Sequence, residues 1–256
     1  MNPPHFFWGL LPLPEDLRAL HLADIFEPGF HEFAGLLVFA TIATIVADDD
    51  ALLVLEALVN NYYIPREYIL LHISDEESSG VHNATLAGII ESINWVNETS
   101  TGDDDVIIYF SGHGTGRGKR AGMVAQDGGV LWDHQLAANL TEILGHARRV
   151  AVIFDSCFSG GFLDDLEPIP NLLAIMAGRA ISFEAAYGHG VFTYWLVCQG
   201  IINGYADDPE LNPHAKKDGV IPLEEAYDYT YHNLLGQSKP KILDNYEGDF
   251  LPLKDN

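Results

Sequence analysis

Two apolar segments of the sequence each end in a side chain that could take part in nucleophilic catalysis. The segment RRVAVIFDSCFSGGF, residues 148–162, carries Cys157 after a run of β-formers, and DVIIYFSGHGTG, residues 105–116, carries His113 between two glycines. A lone cysteine is more often a small buried hydrophobic residue. A thiol with a pKa of about 8.5 is only a few per cent ionised at neutral pH, however, and gains nucleophilicity from a basic partner. The pair of segments therefore predicts a Cys–His dyad.

Both segments are predicted to be strands buried on two faces. Residues 106–110 and 150–154 are consecutive apolar residues without helical spacing, which is typical of central strands in a parallel sheet. Reactive groups prefer the carboxyl ends of such strands, so the two side chains are expected at the same edge of the sheet. The glycines beside His113, and the Ser-Gly-Gly turn after Cys157, would let a substrate backbone approach closely.

Together, SGHG and DSCFSGG resemble the His and Cys motifs of the caspase-like (clan CD) cysteine peptidases, and prokaryotic metacaspases match best. The legumain and clostripain groups share the same order of His-Gly followed by Cys. The resemblance extends over most of the chain, from about residue 35 to residue 253. It implies a cysteine endopeptidase that acts on a peptide or protein substrate.

The resemblance also implies roles for individual residues. Cys157 would attack the scissile carbonyl to form an acyl-enzyme, while His113 would accept the thiol proton and later protonate the leaving amine. The backbone N–H groups of Gly114 and Cys157 would form the oxyanion hole, in which losing a donor typically costs on the order of 100 to 1000-fold in rate.

Asp155 is the residue from which we predict the substrate preference. Because strand residues alternate between faces, its side chain points to the same side as Cys157, roughly 6.6 Å further back along the strand. A buried carboxylate needs a cationic or hydrogen-bonding partner, so we expect cleavage after Arg or Lys. By resemblance, the same pocket would be lined by Asp48, Ser182 and Glu184. Caspases proper differ, because they carry Gln at the position of Asp155 and select acidic residues.

Several alternatives remain open. Asp155 would otherwise brace backbone amides of a loop, and residues 48–50 would otherwise be only the acidic first turn of a helix. A legumain-like preference for Asn, or an inactive caspase-fold scaffold that binds peptides, are the other functions to weigh. A cysteine-dependent phosphatase is disfavoured, because position 163, where it needs Arg, is Leu.

The order of predicted elements indicates an α/β fold. It corresponds to a caspase-like three-layer sandwich, with an open, mostly parallel six-stranded sheet and helices on both faces. Residues 35–256 would form this peptidase domain, and the proline-rich residues 1–34 would form an N-terminal extension. A turn at Asp127-Gly128 predicts a small hairpin after the His segment, and residues 115–120 are expected to form a loop.

Composition narrows the partners. The formal charge of -24 disfavours nucleic acid and favours cationic substrates or nearby divalent cations, and it is equally consistent with a solubility feature alone. The longest apolar run, residues 36–47, is too short for a membrane-spanning helix, and the N-terminal residues do not resemble a signal peptide, so a cytoplasmic monomer is expected. Two cysteines give no disulfide framework.

No cofactor is required for the predicted chemistry, and no metal-ligand spacing is evident. Metacaspases are commonly activated by Ca²⁺. Acidic pairs at 103–104, 164–165 and 207–208 make Ca²⁺ activation a hypothesis, although none of the pairs has EF-hand spacing.

Overall fold

The computed structural model describes residues 36–40, 47–74, 82–117, 120–178, 188–235 and 238–251. The predicted N-terminal extension, residues 1–34, lies outside these ranges, so the proposed domain boundary stays a prediction. Within the described ranges, no helix is both long and apolar enough to cross a membrane.

A seven-stranded sheet forms the centre of the fold. Its strands are β1 (Leu36–Ala40), β2 (Ile69–Ile73), β3 (His82–Asn83), β4 (Asp105–Gly112), β8 (Arg149–Ser156), β9 (Leu172–Met176) and β10 (Lys241–Asp244). They lie in the order β10-β9-β8-β4-β1-β2-β3. Neighbouring strands pair in parallel except for β10, which runs antiparallel to β9. The expected α/β class and mostly parallel pairing are confirmed. The expected six strands are not, because the two-residue strand β3 adds a seventh that is too short to leave an apolar pattern.

Three strands and their turns form a second, smaller sheet. These strands are β5 (Gly114–Arg117), β6 (Arg120–Val124) and β7 (Val130–Trp132), and their pairing is antiparallel. The hairpin expected around Asp127-Gly128 is therefore confirmed. The loop expected at residues 115–120 is wrong for residues 115–117 and 120, because β5 pairs with β6 and begins directly after His113; residues 118 and 119 lie outside the described residues. The sequence of β5 is rich in glycine, which is depleted in strands, so it did not indicate a strand.

Helices cover both faces of the large sheet. They are α1 (Ala47–Asn60), α2 (Leu86–Thr99), α3 (Asp133–Ile143), the short α4 (Leu163–Leu166) and α6 (Leu223–Leu234), together with α5 (Val191–Thr193), which continues as a π-helix over Tyr194–Ile202. Local signals explain their starts: Thr85 caps α2 by accepting from the Gly88 N–H at 3.2 Å. Three aspartates occupy the first turn of α1, where the helix dipole favours negative charge.

The two faces of β4 and β8 carry separate hydrophobic cores. On the first face, Tyr109 and Ile153 pack in the core that includes α1, the π-helix and α6. On the second face, Phe110 and Phe154 pack in the core that includes α2, α3 and the small sheet. Because strand residues alternate between faces, every second residue of these two strands belongs to the first face. That alternation decides which side chains line the site below.

Candidate active site

The His and Cys segments end side by side. Strand β4 pairs in parallel with β8, and the last register pair is Gly112 opposite Ser156. His113 and Cys157 are the next residues on the two strands, so the sheet itself brings them to the same edge. His113 is exposed and Cys157 is half-buried, so both are open to a substrate.

Close backbone contact continues beyond the strand ends. A Cβ on Gly114 would lie 1.7 Å from the Cys157 carbonyl oxygen, so only glycine fits at this position. The Val124 N–H donates to the His113 carbonyl at 2.9 Å. In an antiparallel ladder, hydrogen-bonded and non-hydrogen-bonded pairs alternate, and this bond makes Gly114 and Met123 a non-hydrogen-bonded pair. The Gly114 N–H therefore points away from β6, which an oxyanion donor requires.

The residue after the cysteine is held in an unusual conformation. Phe158 has φ 62° and ψ 6°, in the left-handed region that few non-glycine residues adopt. Its ring lies on Gly116 of β5, where a Cβ would meet the ring at 3.1 Å. A strained backbone conformation of this kind persists only where the contacts of the surrounding structure hold it in place. Here the sharp turn directs the chain away from β8 immediately after Cys157.

The turn that follows Cys157 is fixed to the end of β9. The Gly160 N–H and the Ser159 hydroxyl donate to the Gly178 carbonyl at 2.9 and 3.2 Å. Further along, Phe162 is fully buried and stacks on Phe154, with ring centroids 4.9 Å apart. The segment after Cys157 is thus packed into the fold.

Asp155 lies on the first face, as predicted, and is 4% exposed. Its Oδ2 accepts hydrogen bonds from the N–H and the hydroxyl of Thr193, at 3.0 and 2.7 Å. Tyr109 then donates to the Thr193 hydroxyl at 2.6 Å, since the Thr193 proton is already given to Asp155. Burial, with Asp50 and Asp155 nearby, raises the pKa of Tyr109 well above its usual value, so the phenol stays protonated.

A second buried carboxylate belongs to Asp50, which is 0% exposed. It accepts from the Ser111 hydroxyl at 2.8 Å and from the Gly190 N–H at 3.0 and 3.2 Å, and His189 Nδ1 lies 3.2 Å from its Oδ1. A Cβ on Gly190 would lie 2.3 Å from Asp155 Oδ2 and 2.8 Å from Asp50 Oδ2. Both carboxylates thus approach one point, and we call them the acidic pair.

The structure places Asp48 elsewhere. Its carboxylate accepts hydrogen bonds from the Ser74 N–H and hydroxyl, at 3.0 and 2.9 Å, where β2 ends. Among the aspartates of α1, it is therefore Asp50, and not the predicted Asp48, that lies beside Asp155. The other predicted pocket residues, Ser182 and Glu184, lie outside the described residues.

Sequence reasoning missed Ser111, Thr193 and His189. Ser111 could have been found, because it precedes His113 by two residues just as Asp155 precedes Cys157, and the two pair in the sheet. Thr193 and His189 carry no comparable signal. Each contacts an aspartate that is distant in the sequence, and only the folded chain brings them together.

Within the described residues, no group of three His, Cys, Asp or Glu side chains could hold a metal ion. The acidic pairs considered for Ca²⁺ have local partners where the structure describes their bonds. Asp104 accepts from the Thr101 N–H and hydroxyl, both at 2.7 Å, and Asp207 accepts from the backbone of Asp218 and Gly219.

Comparison with known proteins finds similarity to metacaspases. Residues 46–166 match the family model described as "Metacaspase, peptidase C14 domain". Metacaspase-1B of Aspergillus oryzae is 28% identical over 156 residues, which are 53% of this chain and 37% of that relative. Metacaspase-1 of Ajellomyces capsulatus is 25% identical over 154 residues, 52% of this chain and 43% of the relative. Metacaspase-1A of Neurospora crassa is 27% identical over 144 residues, 51% and 31% respectively.

The chain spans less than half the length of these curated relatives. All three relatives are fungal, so the closer likeness to prokaryotic members stays a prediction. The matched region contains His113, Cys157 and both members of the acidic pair. The expected resemblance is confirmed: over residues 46–166 this chain is similar to the caspase-like cysteine peptidases of the metacaspase type.

Proposed function

We propose that this protein is a cysteine endopeptidase that cleaves peptide bonds after Arg or Lys, using Cys157 and His113. The observation that carries the proposal is the parallel pairing of β4 and β8, which ends with Gly112 opposite Ser156. If one of these strands were shifted by one residue, its catalytic side chain would lie on the opposite face of the sheet.

The chemistry follows from this arrangement. His113 accepts the thiol proton, and the Cys157 thiolate attacks the scissile carbonyl carbon. The N–H groups of Gly114 and Cys157 stabilise the oxyanion, and the amine leaves with a proton from His113. Water then attacks the thioester, which releases the acid product and restores the thiol. The chain needs no cofactor for these steps, and the Ca²⁺ hypothesis is tested by assaying with and without a chelator.

The acidic pair supports the preference for basic residues. Asp50 and Asp155 lie on the same face of the sheet edge as the residues of the dyad, and both are buried. Two carboxylates that approach one point repel each other, and a guanidinium or ammonium group beside them relieves that repulsion. A mismatched substrate leaves buried charge uncompensated, at a cost of roughly 3 to 5 kcal/mol.

Preference for Asn is the second candidate. The hydroxyl groups of Ser111 and Thr193 donate to the two carboxylates. Neutral hydrogen-bonding groups of this kind would also suit a pocket for an amide side chain. The substrate side chains of the two candidates differ in charge, so a variant that removes one negative charge from the pocket distinguishes between them. Asp50→Asn should lower cleavage after Arg by about 10 to 100-fold if a charge-assisted contact is lost. It should change cleavage after Asn far less.

Activity as a single, uncut chain is part of the proposal. The segment 158–171 between the Cys strand and the next strand contains no Lys or Arg. It is also folded, with Phe162 and Leu166 fully buried. Intact-mass measurement of active protein should show no break in this segment.

The proposal is tested with fluorogenic peptides that differ only in the residue before the scissile bond. Arg and Lys peptides should be cleaved fastest, and Cys157→Ala should abolish cleavage. Cys198→Ala is the matched control, because Cys198 lies in the π-helix and has no place in the site. Faster cleavage after Asn or Asp would overturn the basic preference. Cleavage that survives Cys157→Ala would overturn the mechanism.

A further inference from the structure

His189 lies at the edge of the acidic pair. Its Nδ1 is 3.2 Å from Asp50 Oδ1, and its side chain is 23% exposed whereas that of Asp50 is completely buried. The residue that follows, Gly190, donates its N–H to the same carboxylate. His189 is thus held against Asp50 from the solvent side, where a substrate side chain must enter.

Within the part of the chain that the structure describes, two elements place charged groups around His189. Asp49 and Asp50 face it from α1, and Asp155 of β8 lies just beyond Asp50 at Gly190. Burial raises the pKa of Asp49, and the nearby His189 acts in the opposite direction. Among the described residues, His189 therefore has acidic neighbours, and its proton decides how much negative charge the pocket presents.

We propose that His189 is a specificity-determining residue, whose positive charge competes with the basic side chain of the substrate for Asp50. The inference rests on the proposed function, since it concerns the residue that the site accepts before the scissile bond. When His189 is neutral, Asp50 can pair with a guanidinium or ammonium group. When it is protonated, the imidazolium pairs with Asp50 and repels an incoming cation.

This competition has a defined sign and size. Histidine side chains change charge between about pH 5 and 8. Selectivity for a cationic over a neutral side chain should therefore rise with pH in that range. A unit charge about 6 Å from the substrate cation, at an effective dielectric constant of about 40, between that of a protein surface and that of bulk water, changes relative affinity on the order of tenfold.

The test compares two peptides that end in arginine or in citrulline, its neutral counterpart of nearly equal shape. Their dissociation constants are measured by calorimetry on the full chain carrying Cys157→Ala, at intervals from about pH 5.5 to 7.5. The ratio of the two constants cancels every titration that affects both peptides equally. The same ratio is measured as kcat/KM on the active protein with the matching substrates.

We expect the arginine preference to grow about tenfold across this range. His189→Asn keeps an N–H donor toward Asp50 without a charge, so its preference should be constant and equal to the high-pH value. The control is His134→Asn, because His134 forms a similar pair with buried Asp133, 3.3 Å away and outside the pocket. The arginine preference of this variant should change with pH in the same way as that of the unchanged protein.

A preference that does not change with pH, or a pH dependence that survives His189→Asn, would overturn the inference, as would failure of the arginine peptide to bind. Circular dichroism at each pH ensures that only folded protein is compared. Absence of hydrolysis, with the expected binding ratios intact, would overturn the peptidase proposal and leave the role of His189 standing.

Discussion

Buried carboxylates lie at both ends of the central strands, and they are compensated in different ways. At the amino end of β4, Asp105 contacts two guanidinium groups, with Arg148 Nε at 2.8 Å and Arg149 Nη2 at 2.7 Å. At the opposite end, Asp50 receives neutral donors from Ser111 and Gly190, together with the titratable His189. The first carboxylate has permanent positive charge beside it, whereas the contacts of Asp50 within the described residues are with neutral donors and a histidine.

The surroundings of Arg149 strengthen the contrast. Its guanidinium lies 4.8 Å from the centroid of the Tyr246 ring and 4.2 Å from that of Phe250. It also donates to the carbonyl groups of Asp249 and Leu251, both at 3.1 Å. The amino end of the sheet thus joins β4, β8 and the C-terminal segment through a fixed charge, which is a structural arrangement.

The two ends of the central strands thus differ in their tasks. A permanent counter-ion at the acidic pair would fill the place of a substrate cation. Among the residues that the structure describes, hydroxyl, amide and imidazole groups contact Asp50, and these donors leave its charge able to attract a cation. Charge pairing at the amino end should therefore determine stability, and charge at the carboxyl end should determine substrate binding.

The largest effect should come from breaking the structural end. Asp105→Asn leaves Arg149 buried without its carboxylate, which should lower the free energy of unfolding by about 3 to 5 kcal/mol. Urea unfolding measures this, and kcat/KM of the folded fraction should change little. Asp249→Asn, which removes the partner of exposed Lys216, is the control and should leave stability unchanged. A large loss of Arg selectivity in Asp105→Asn would contradict the division of tasks.

A pH effect on stability should come from His72, on β2. The ring is buried, with Nε2 2.7 Å from the Ser92 hydroxyl and Nδ1 3.1 Å from the Asn83 carbonyl oxygen, and burial lowers its pKa to about 4. The unfolded chain, with an ordinary histidine pKa of about 6.5, binds the proton first. Stability should therefore fall as pH drops through 6.5 toward 4, by about 3 kcal/mol.

The measurement is the difference in unfolding free energy between the unchanged protein and His72→Gln as a function of pH. Taking the difference removes the opposite contribution of Asp49 and Glu224, whose pKa values burial raises. A pH-independent difference would show that His72 is not held neutral. The result also separates acid unfolding from the effect of His189 on binding.

A smaller effect should come from the hydroxyl chain at the carboxyl end. Thr193→Val keeps the shape and removes the hydroxyl between Tyr109 and Asp155, which should cost about 1 to 2 kcal/mol of stability. KM for Arg peptides should rise more than kcat falls. Thr141→Val is the matched control, because its hydroxyl bonds to the Ala137 carbonyl on an exposed helix surface. Equal effects of the two substitutions would contradict a role for Thr193 at the acidic pair.

Much of the fold was accessible from the sequence, because buried parallel strands leave apolar runs and helices leave caps. β4 and β8 lie where the apolar runs 106–110 and 150–154 predict them, and residues 48–50 lie in the first turn of α1. The two-residue strand β3 and the glycine-rich β5 leave no such pattern. Their pairing depends on neighbours that only the tertiary structure supplies.

The same limit applies to the site. Strand periodicity placed Asp155 on the face of the dyad, and the same argument extends to Ser111. It gave no means of choosing Asp50 from three consecutive aspartates, because that choice depends on Gly190 and His189, about 140 positions away. Contacts of this range follow from how the layers pack and not from local spacing.

The most direct test of the central claim compares the two cysteines of one molecule. Both are free thiols, and burial raises the pKa of Cys198, so that it gives the rate of a thiol slower than an ordinary exposed one. Limiting iodoacetamide at neutral pH, followed by peptide mass spectrometry, gives the rate of alkylation at each residue. His113→Ala then tests the partner.

Cys157 should be alkylated at least about ten times faster than Cys198, in step with the loss of peptidase activity. His113→Ala should remove this advantage and leave the rate at Cys198 unchanged. If Cys157 reacts no faster than an ordinary exposed thiol, and Cys157→Ala leaves peptide cleavage intact, the Cys–His dyad is contradicted.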